Sequence, residues 1–475
     1  MSFRDETPYD ILTEKWNPVL KHDALPSIGD EWKSKVTAVL LENQEQSMRD
    51  QYLTENMTTG SDIGNVVATT AAGGLRGYDP ILISLVRRAM PNLMAYDICG
   101  VQPMTAPTGL IFAMRAKYGD SSINAITNEA QFQEPDARFS GVSGASGGFT
   151  AAGGTSPSAI GVNPTATSAA FTSGKNLATF TGLRAQLTSN GENLSYDAGS
   201  TATNVLNKMS FTIDRVAVAA ATRALSAGYT VELAQDLKAV HGLDAEAELA
   251  NLLSTEILAE INREIVRSIY WVARAGSQQT DITGAGTYNL DLDSDGRWSA
   301  ERFRGLVFQI ERECNAIAKE TRRGKGNFVI VSSDVASALA MSGFLNLSPA
   351  LNTQLAVDDT GSTFAGLLNG KLRVYIDPYS QLGVNFFCAG YKGESPYDAG
   401  IFYCPYVPLQ MMRAIDPATF QPRIAFKTRY GMVANPYVLK TDGTPYGSDF
   451  TTQSGANQYY RLTAVTGLHG NTYGS

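Results

Sequence analysis

The sequence predicts a mixed α+β chain of two or three domains, and three observations carry that prediction. From Asp244 to about Ala273, the residues Leu249, Leu252, Leu253, Ile257, Ile261, Ile265 and Ile269 recur at three- and four-residue steps, the period of a long amphipathic helix. A second helical stretch, Ser299 to about Arg323, is followed by a series of short apolar runs that read as strands. The two kinds of element do not alternate as they would in a doubly wound fold. With 475 residues, 43% of them hydrophobic, the chain is long and apolar enough for a sizeable core.

Taken in order, residues 1–55 read as a separate acidic helical module, with Trp32, Val36, Val39, Leu40 and Leu41 on one broad stripe. The composition then turns to Gly, Thr and Ala over 56–78, an extended segment with little charge. Asp79 at a cap and Pro80 at the first helical position open a helix that runs to Met90, before Pro91. TGLIFAMRAKY (108–118) is strand-like. Residues from about 140 to 205 are dominated by Gly, Ser, Thr and Ala, and read as a loop or a small β-rich insertion. MSFTIDRVAVAAATRAL follows as a strand, with Phe211, Ile213, Val216 and Val218 as candidates for its inward face. Asp244 caps the long helix, and Glu246 and Glu248 lie where its dipole favours anions. Gly324 is the expected C-cap of the next helix. NFVIVSS, KLRVYID, VNFFCAGY, IFYCPYVPL and RIAFKTRYGMV complete the predicted strands.

The net charge is −8 and unevenly placed. Residues 1–55 hold six Lys/Arg against eleven Asp/Glu, a net of −5, which leaves 32 against 35 in the rest. Neither part has the basic balance of a nucleic-acid binder. No run of 18 apolar residues occurs, so no bilayer span and no membrane insertion are expected. MSFRDETPYDILTEKW has early acids and no apolar h-region, so a secretory signal is not expected and the chain should mature in the cytosol.

Cys99, Cys314, Cys388 and Cys404 are scattered without a CxxC pair, and read as buried thiols. His22, His241 and His469 lie far apart, so no metal site with ordinary ligand spacing and no usual general base is expected. Gly144-Ala145-Ser146-Gly147-Gly148 has the G-x-S-x-G spacing of a nucleophile elbow, but no apolar strand precedes Ser146 and no helix follows. Asp291-Leu292-Asp293-Ser294-Asp295-Gly296 imitates a calcium loop, but Arg302 stands where the bidentate carboxylate belongs. These Asp side chains are expected to cap the following helix. Gly324-Lys325-Gly326 lies between helix and strand in the wrong order for a phosphate loop, His241 reads as a helix-terminal cap, and Arg87-Arg88 as a solvated or interface face. No catalytic, cofactor or metal residue is assigned, so the chain is not expected to be an enzyme.

Several long runs resemble the major capsid protein of T-even-like myoviruses: RRAMPNLMAYDICGVQPMTAPTGLIFAMRAKYG (87–119), YTVELAQDLKAVHGLDAEAELANLLSTEILAEINREIV (229–266), RWSAERFRGLVFQIERE (297–313), FAGLLNGKLRVYIDPY (364–379), YKGESPYDAGIFYCPYVPL (391–409) and FKTRYGM (426–432). The resemblance covers most of the chain in order; residues 128–205 and 438–475 match least. It implies the Hong Kong 97-type capsid fold: α+β, with a long spine helix, an axial domain, an extended two-stranded arm and here a Gly/Ser-rich insertion. The implied boundaries are 1–55 propeptide, 56–107 N-arm and start of the peripheral domain, and 108–219 arm with insertion at about 128–205. They continue with 220–297 peripheral domain and spine helix, 298–415 axial domain, and 416–475 return to the peripheral domain and tail.

The resemblance also implies removal of the N-terminal segment by a maturation protease that cuts after Leu/Ile-x-Glu. Leu53-Thr54-Glu55 fits, where the composition changes, so cleavage is expected between Glu55 and Asn56. Leu12-Thr13-Glu14 is a second match, and without the resemblance LTE is an ordinary helix end. The implied function is a head-shell subunit that forms six-fold capsomers around double-stranded DNA without binding it specifically. The implied partners are further copies of itself, the vertex capsid protein, the prohead core or scaffold, the protease, a folding chaperonin and outer decoration proteins. The implied location is the virion, with assembly in the host bacterial cytoplasm. The runner-up is the five-fold vertex paralogue; a Ser146 or carboxylate-pair hydrolase and a cellular nanocompartment shell are the rivals from other classes.

Overall fold

The computed structural model describes residues 8–21, 30–58, 93–118, 209–347, 363–438 and 447–468, a few positions apart. The expected helix at 80–90, the insertion at 128–205, Arg87-Arg88 and Ser146 lie outside the described residues. In chain order come α1 (Pro8–Leu20), α2 (Glu31–Thr58), α3 (Ala95–Ile98), β1 (Gly100–Val101), β2 (Thr108–Tyr118), β3 (Met209–Ala219) and β4 (Ala221–Gly228). Then follow α4 (Val231–Val240), α5 (Ala245–Val272), β5 (Ala273–Ala275), β6 (Thr287–Asn289), α6 (Ser299–Thr321), β7 (Phe328–Ser332), α7 (Ser333–Met341) and β8 (Leu345–Leu347). The chain closes with β9 (Thr363–Leu368), β10 (Leu372–Asp377), β11 (Phe386–Gly390), β12 (Ile401–Ile415), β13 (Pro422–Ala434) and β14 (Asn457–Thr466).

The strands form two sheets and a ribbon. The smaller sheet has the order β1-β12-β13-β4, the larger β5-β14-β11-β7-β10-β9-β8 with β6 beside β14, and β2 pairs with β3 alone. β13 therefore joins the smaller sheet and β14 the larger, so the two strands of 416–475 lie in different sheets. The larger sheet is covered on both faces, which explains the continuous apolar run of β7. Phe328 and Ile330 point into one core with α5, and Val329 and Val331 into another with α6 and α7.

α5 is the 28-residue helix the periodicity predicts, about 42 Å long. Leu253, Ile257, Leu258, Ile261, Ile265, Val266, Ile269 and Val272 are buried; Leu252, expected on that face, is exposed. Asp244 caps it, its Oδ1 accepting from the Glu246 amide at 3.1 Å. Asp244→Ala is expected to cost about 1 kcal/mol, readable as a lowered denaturation midpoint with an unchanged m-value.

Three local expectations are corrected. α6 ends on Arg322, whose left-handed φ of 55° makes it the C-cap in place of Gly324. Gly324 instead lies against the Tyr391 ring, where a Cβ would come within 2.5 Å. α6 also starts on Trp298 without a side-chain cap, because Asp293 turns to Thr283 and Asn289 in its own loop and Asp291 pairs with the Arg302 guanidinium. Phe211 and Ile213 face outward, 66% and 65% exposed, while Val218 is buried. Their outward placement follows because, among the described residues, nothing packs over the outer side of β2 and β3. MSFTIDRVAVAAATRAL also breaks at Ala220 into β3 and β4.

Residues 8–47 are not a separate module. Trp16, Leu20, Val36, Leu40 and Leu41 share one core with Ile401, Tyr403, Leu409 and the inner face of α5. Lys15 and Trp16 hold the two helices together, Lys15 Nζ reaching Glu42 at 2.6 Å and Glu45 at 2.8 Å and Trp16 Nε1 donating to Glu42 at 3.1 Å.

Candidate functional site

The chemistry-bearing residues are committed to structure. In the Asp loop, Arg302 pairs with Asp291. Asp293 accepts from the Thr283 amide at 3.0 Å, the Thr283 hydroxyl at 2.6 Å and the Asn289 amide at 3.0 Å. Desolvation opposes its charge, but these hydrogen bonds outweigh it and hold the carboxyl below its ordinary range. Among the described residues no group of three His, Cys, Asp or Glu is placed to hold a metal. His241 is the C-cap of α4, its amide donating to Leu237 O at 2.9 Å.

All four cysteines are buried and free. Burial pushes Cys99, Cys314 and Cys404 up to about 12, and Cys388 upward as well, so they are thiols and not nucleophiles near neutral pH.

A cleft of about 450 Å³ lies along α5, lined by Arg223, Glu260, Arg263, Glu264 and Trp271 among others. Two of its arginines are held in ion pairs. Arg223 holds Glu260 at 2.8 Å and Glu264 at 2.7 Å, and donates to the Tyr430 hydroxyl at 2.6 Å. Arg263 clasps both oxygens of Asp377 at 2.8 Å. These pairs tie α5 to β4 of the smaller sheet and to β10 of the larger.

The features with unspent potential are surfaces. Directly opposed residues of β2 and β3 share a face, and the register sets Leu110 and Phe112 on the same side as Met209, Phe211 and Ile213. All five are at least half exposed. A two-stranded ribbon is marginal alone and gains little from the body beyond its root, where Ile111 and Val218 are buried. Its outer side is a row of apolar residues with no layer above it among the described residues.

The second surface is the seat of α2. Lys33 Nζ pairs with Asp97 at 3.0 Å, Asn43 Nδ2 donates to both Met104 O and Tyr406 O at 2.8 Å, and Gln410 Nε2 donates to Ser47 Oγ at 2.5 Å. Sequence reasoning missed this contact. The available signal was Asn43 and Ser47 continuing the helical spacing of Val36 and Leu40, which puts polar residues on an apolar stripe. Leu53, Glu55 and Asn56 fall on the last turns of α2, which runs on to Thr58, so the structure brings them together on one helix end. No helix among the described residues is long and apolar enough to cross a membrane.

Comparison with known proteins adds the family. Residues 75–465 match the family model described as major capsid protein Gp23. The chain is 37% identical to the major capsid protein of Enterobacteria phage T4 over 96% of this chain and 98% of that one. It is 39% identical to that of Enterobacteria phage T6 over 91% and 96%. The capsid vertex protein of phage T4 matches at 33% over 49% of this chain and 54% of its own length.

Proposed function

Because the chain belongs to the Gp23 major capsid protein family, we propose that it is the principal head-shell subunit of a T4-like phage, built into six-fold capsomers and matured by cleavage between Glu55 and Asn56. The observation that carries this reading is the end-to-end match to the major capsid proteins, against a match to the vertex protein over only half of each chain. The members of the family it resembles are structural capsid proteins, and the cleft chemistry described above agrees with a structural role.

The architecture supports the finer parts. A long α5 beside one sheet, a second helix-covered sheet and a projecting ribbon are the parts a Hong Kong 97-type subunit needs. On that reading 56–107 is the N-arm and start of the peripheral domain, 108–219 the overlapping arm, 220–297 the peripheral domain and 298–415 the axial domain. Copies meet through heterologous surfaces that close by symmetry. The arm lays its apolar face on a neighbour, and small contacts sum over a large area.

The shell encloses double-stranded DNA without specific contacts, and loss of a segment with net −5 lowers repulsion with that DNA. The vertex protein, prohead core, maturation protease, chaperonin and outer decoration proteins are its partners, with assembly in the host cytoplasm. In processing, water adds across the Glu55–Asn56 peptide bond, with Leu53 and Glu55 recognised by the protease. Because α2 spans that bond, its last turn opens before cleavage.

The test is the N-terminal peptide and intact mass of the chain in purified particles. A chain that begins at Asn56 bears out shell assembly and processing together. A full-length chain in particles keeps the shell and removes the cleavage, and absence from particles removes both. Glu55→Gln is expected to slow the cut by about ten- to a hundredfold, the effect of one charge-assisted hydrogen bond lost at the protease.

A further inference from the structure

We propose that the buried joint between α6 and β14 is a hydration site, where bound water completes an ion network that the chain's own groups leave open.

The joint is made by two sequence patterns meeting. Gln309, Glu313 and Glu320 follow the helical repeat onto one stripe of α6, and Arg461 and Thr463 alternate onto one face of β14. Gln309, Glu313, Arg461 and Thr463 are all buried. Arg461 spans the two carboxylates, with Nη1 at 3.2 Å from Glu313 Oε2 and Nη2 at 2.5 Å from Glu320 Oε1. Arg274 Nη1 reaches the same Glu320 oxygen at 3.2 Å. Two arginines thus face two glutamates, and the joint carries no net charge.

Four buried atoms of these side chains nevertheless have no partner among the described residues: Gln309 Oε1, Glu320 Oε2, Arg461 Nε and Thr463 Oγ1. Buried polar atoms left in that state are costly, and native cores rarely keep them. Local rearrangement does not remove them. The Gln309 amide cannot turn over, because its Nε2 donates to Glu313 Oε1 at 2.8 Å and the turn would set two oxygens against each other. Arg461 Nε is held in one plane with two nitrogens that are both engaged. A Cβ at Gly276 would come within 2.2 Å of Thr463 Oγ1 and 3.1 Å of Glu313 Oε2, so hydroxyl and carboxylate face the same glycine.

The chemistry of the four atoms selects the guest. The amide and carboxylate oxygens only accept, the guanidinium N–H only donates, and the hydroxyl does either. A cation cannot accept from Arg461 Nε, and an anion cannot donate to Glu320 or Gln309. A balanced joint also calls for a neutral guest. Water donates and accepts, and a buried water makes about three such bonds. Glu320 and Arg274, with side chains 25% and 38% exposed, give it a way in from the surface. Hydrated in this way, the carboxylates and Arg461 are buried without forfeiting their remaining hydrogen bonds.

The test is a density map of the full chain at a resolution that shows ordered water, together with Thr463→Val, which exchanges the hydroxyl for a methyl of similar size. Peaks are expected within hydrogen-bond reach of the four atoms. Thr463→Val is expected to lose the peak beside residue 463 and to lower the folding constant about two- to tenfold, read as a lower denaturation midpoint. In a dry joint the same change removes an unpaired buried hydroxyl, and the midpoint stays or rises. That result overturns the hydration site, as does a map without the peaks. If Thr463→Val does not fold, the map of the parent chain decides alone.

Discussion

Arg461→Ala is expected to destabilise the chain by about 3–5 kcal/mol, because it strands a buried charge. Arg461 lies on β14, its side chain 5% exposed, and its Nη1 reaches Glu313 Oε2 at 3.2 Å; the Glu313 side chain is fully buried. The other oxygen of Glu313 accepts from the Ser277 amide at 3.0 Å and from Gln279 and Gln309 at 2.8 Å. The second arm of Arg461 takes Glu320 at 2.5 Å. The network ties α6 to β14 and to the turn after β5. Denaturant titration reads the loss as a shifted midpoint. Adding Glu313→Gln, which removes the stranded charge and keeps the acceptor for Ser277, is expected to return at least half of it. A single variant as stable as the parent would show that the network does not hold the sheet.

The second large effect is on assembly alone. Phe211→Asp with Ile213→Asp should leave the denaturation midpoint within about 0.5 kcal/mol, because both side chains are already in water. Shell formation should nevertheless fail. An apolar anchor at the centre of an interface is worth about 2 kcal/mol or more, so losing two weakens each contact about a thousandfold. Sedimentation and negative-stain microscopy of the assembly reaction give the readout. Normal shells from the double variant would remove the arm from the assembly contacts.

Legibility of the fold followed how local each determinant is. α5 was readable because its apolar period, its Asp244 cap and its first-turn acids all lie within the segment. β7 and β10 to β13 were readable as apolar runs. β14 was not, because its pattern includes Asn457, Arg461 and Thr463, all buried, and the partner that makes Arg461 tolerable there comes from α6. The resemblance paired the two strands of the ribbon without a register, and a period of two cannot say which face is covered when, among the described residues, no layer covers either beyond the root. The candidate site was half legible. Leu53, Glu55 and Asn56 were named from a resemblance, whereas the seat of Asn43 depends on a bulge set by prolines some 360 positions away in the chain.

The placement of β14 also sets a timetable for synthesis. It lies between β5 and β11, so the larger sheet lacks the strand that joins β5 to the rest until residues 457–466 have left the ribosome. Everything upstream waits with unpaired edges on β5 and β11, and pairing of such high contact order is slow. The nascent chain therefore carries a sticky gap from the synthesis of β11 until that of β14, the condition in which folding assistance is most useful. A chain truncated before Asn457 should accumulate as aggregate even though every earlier element is present.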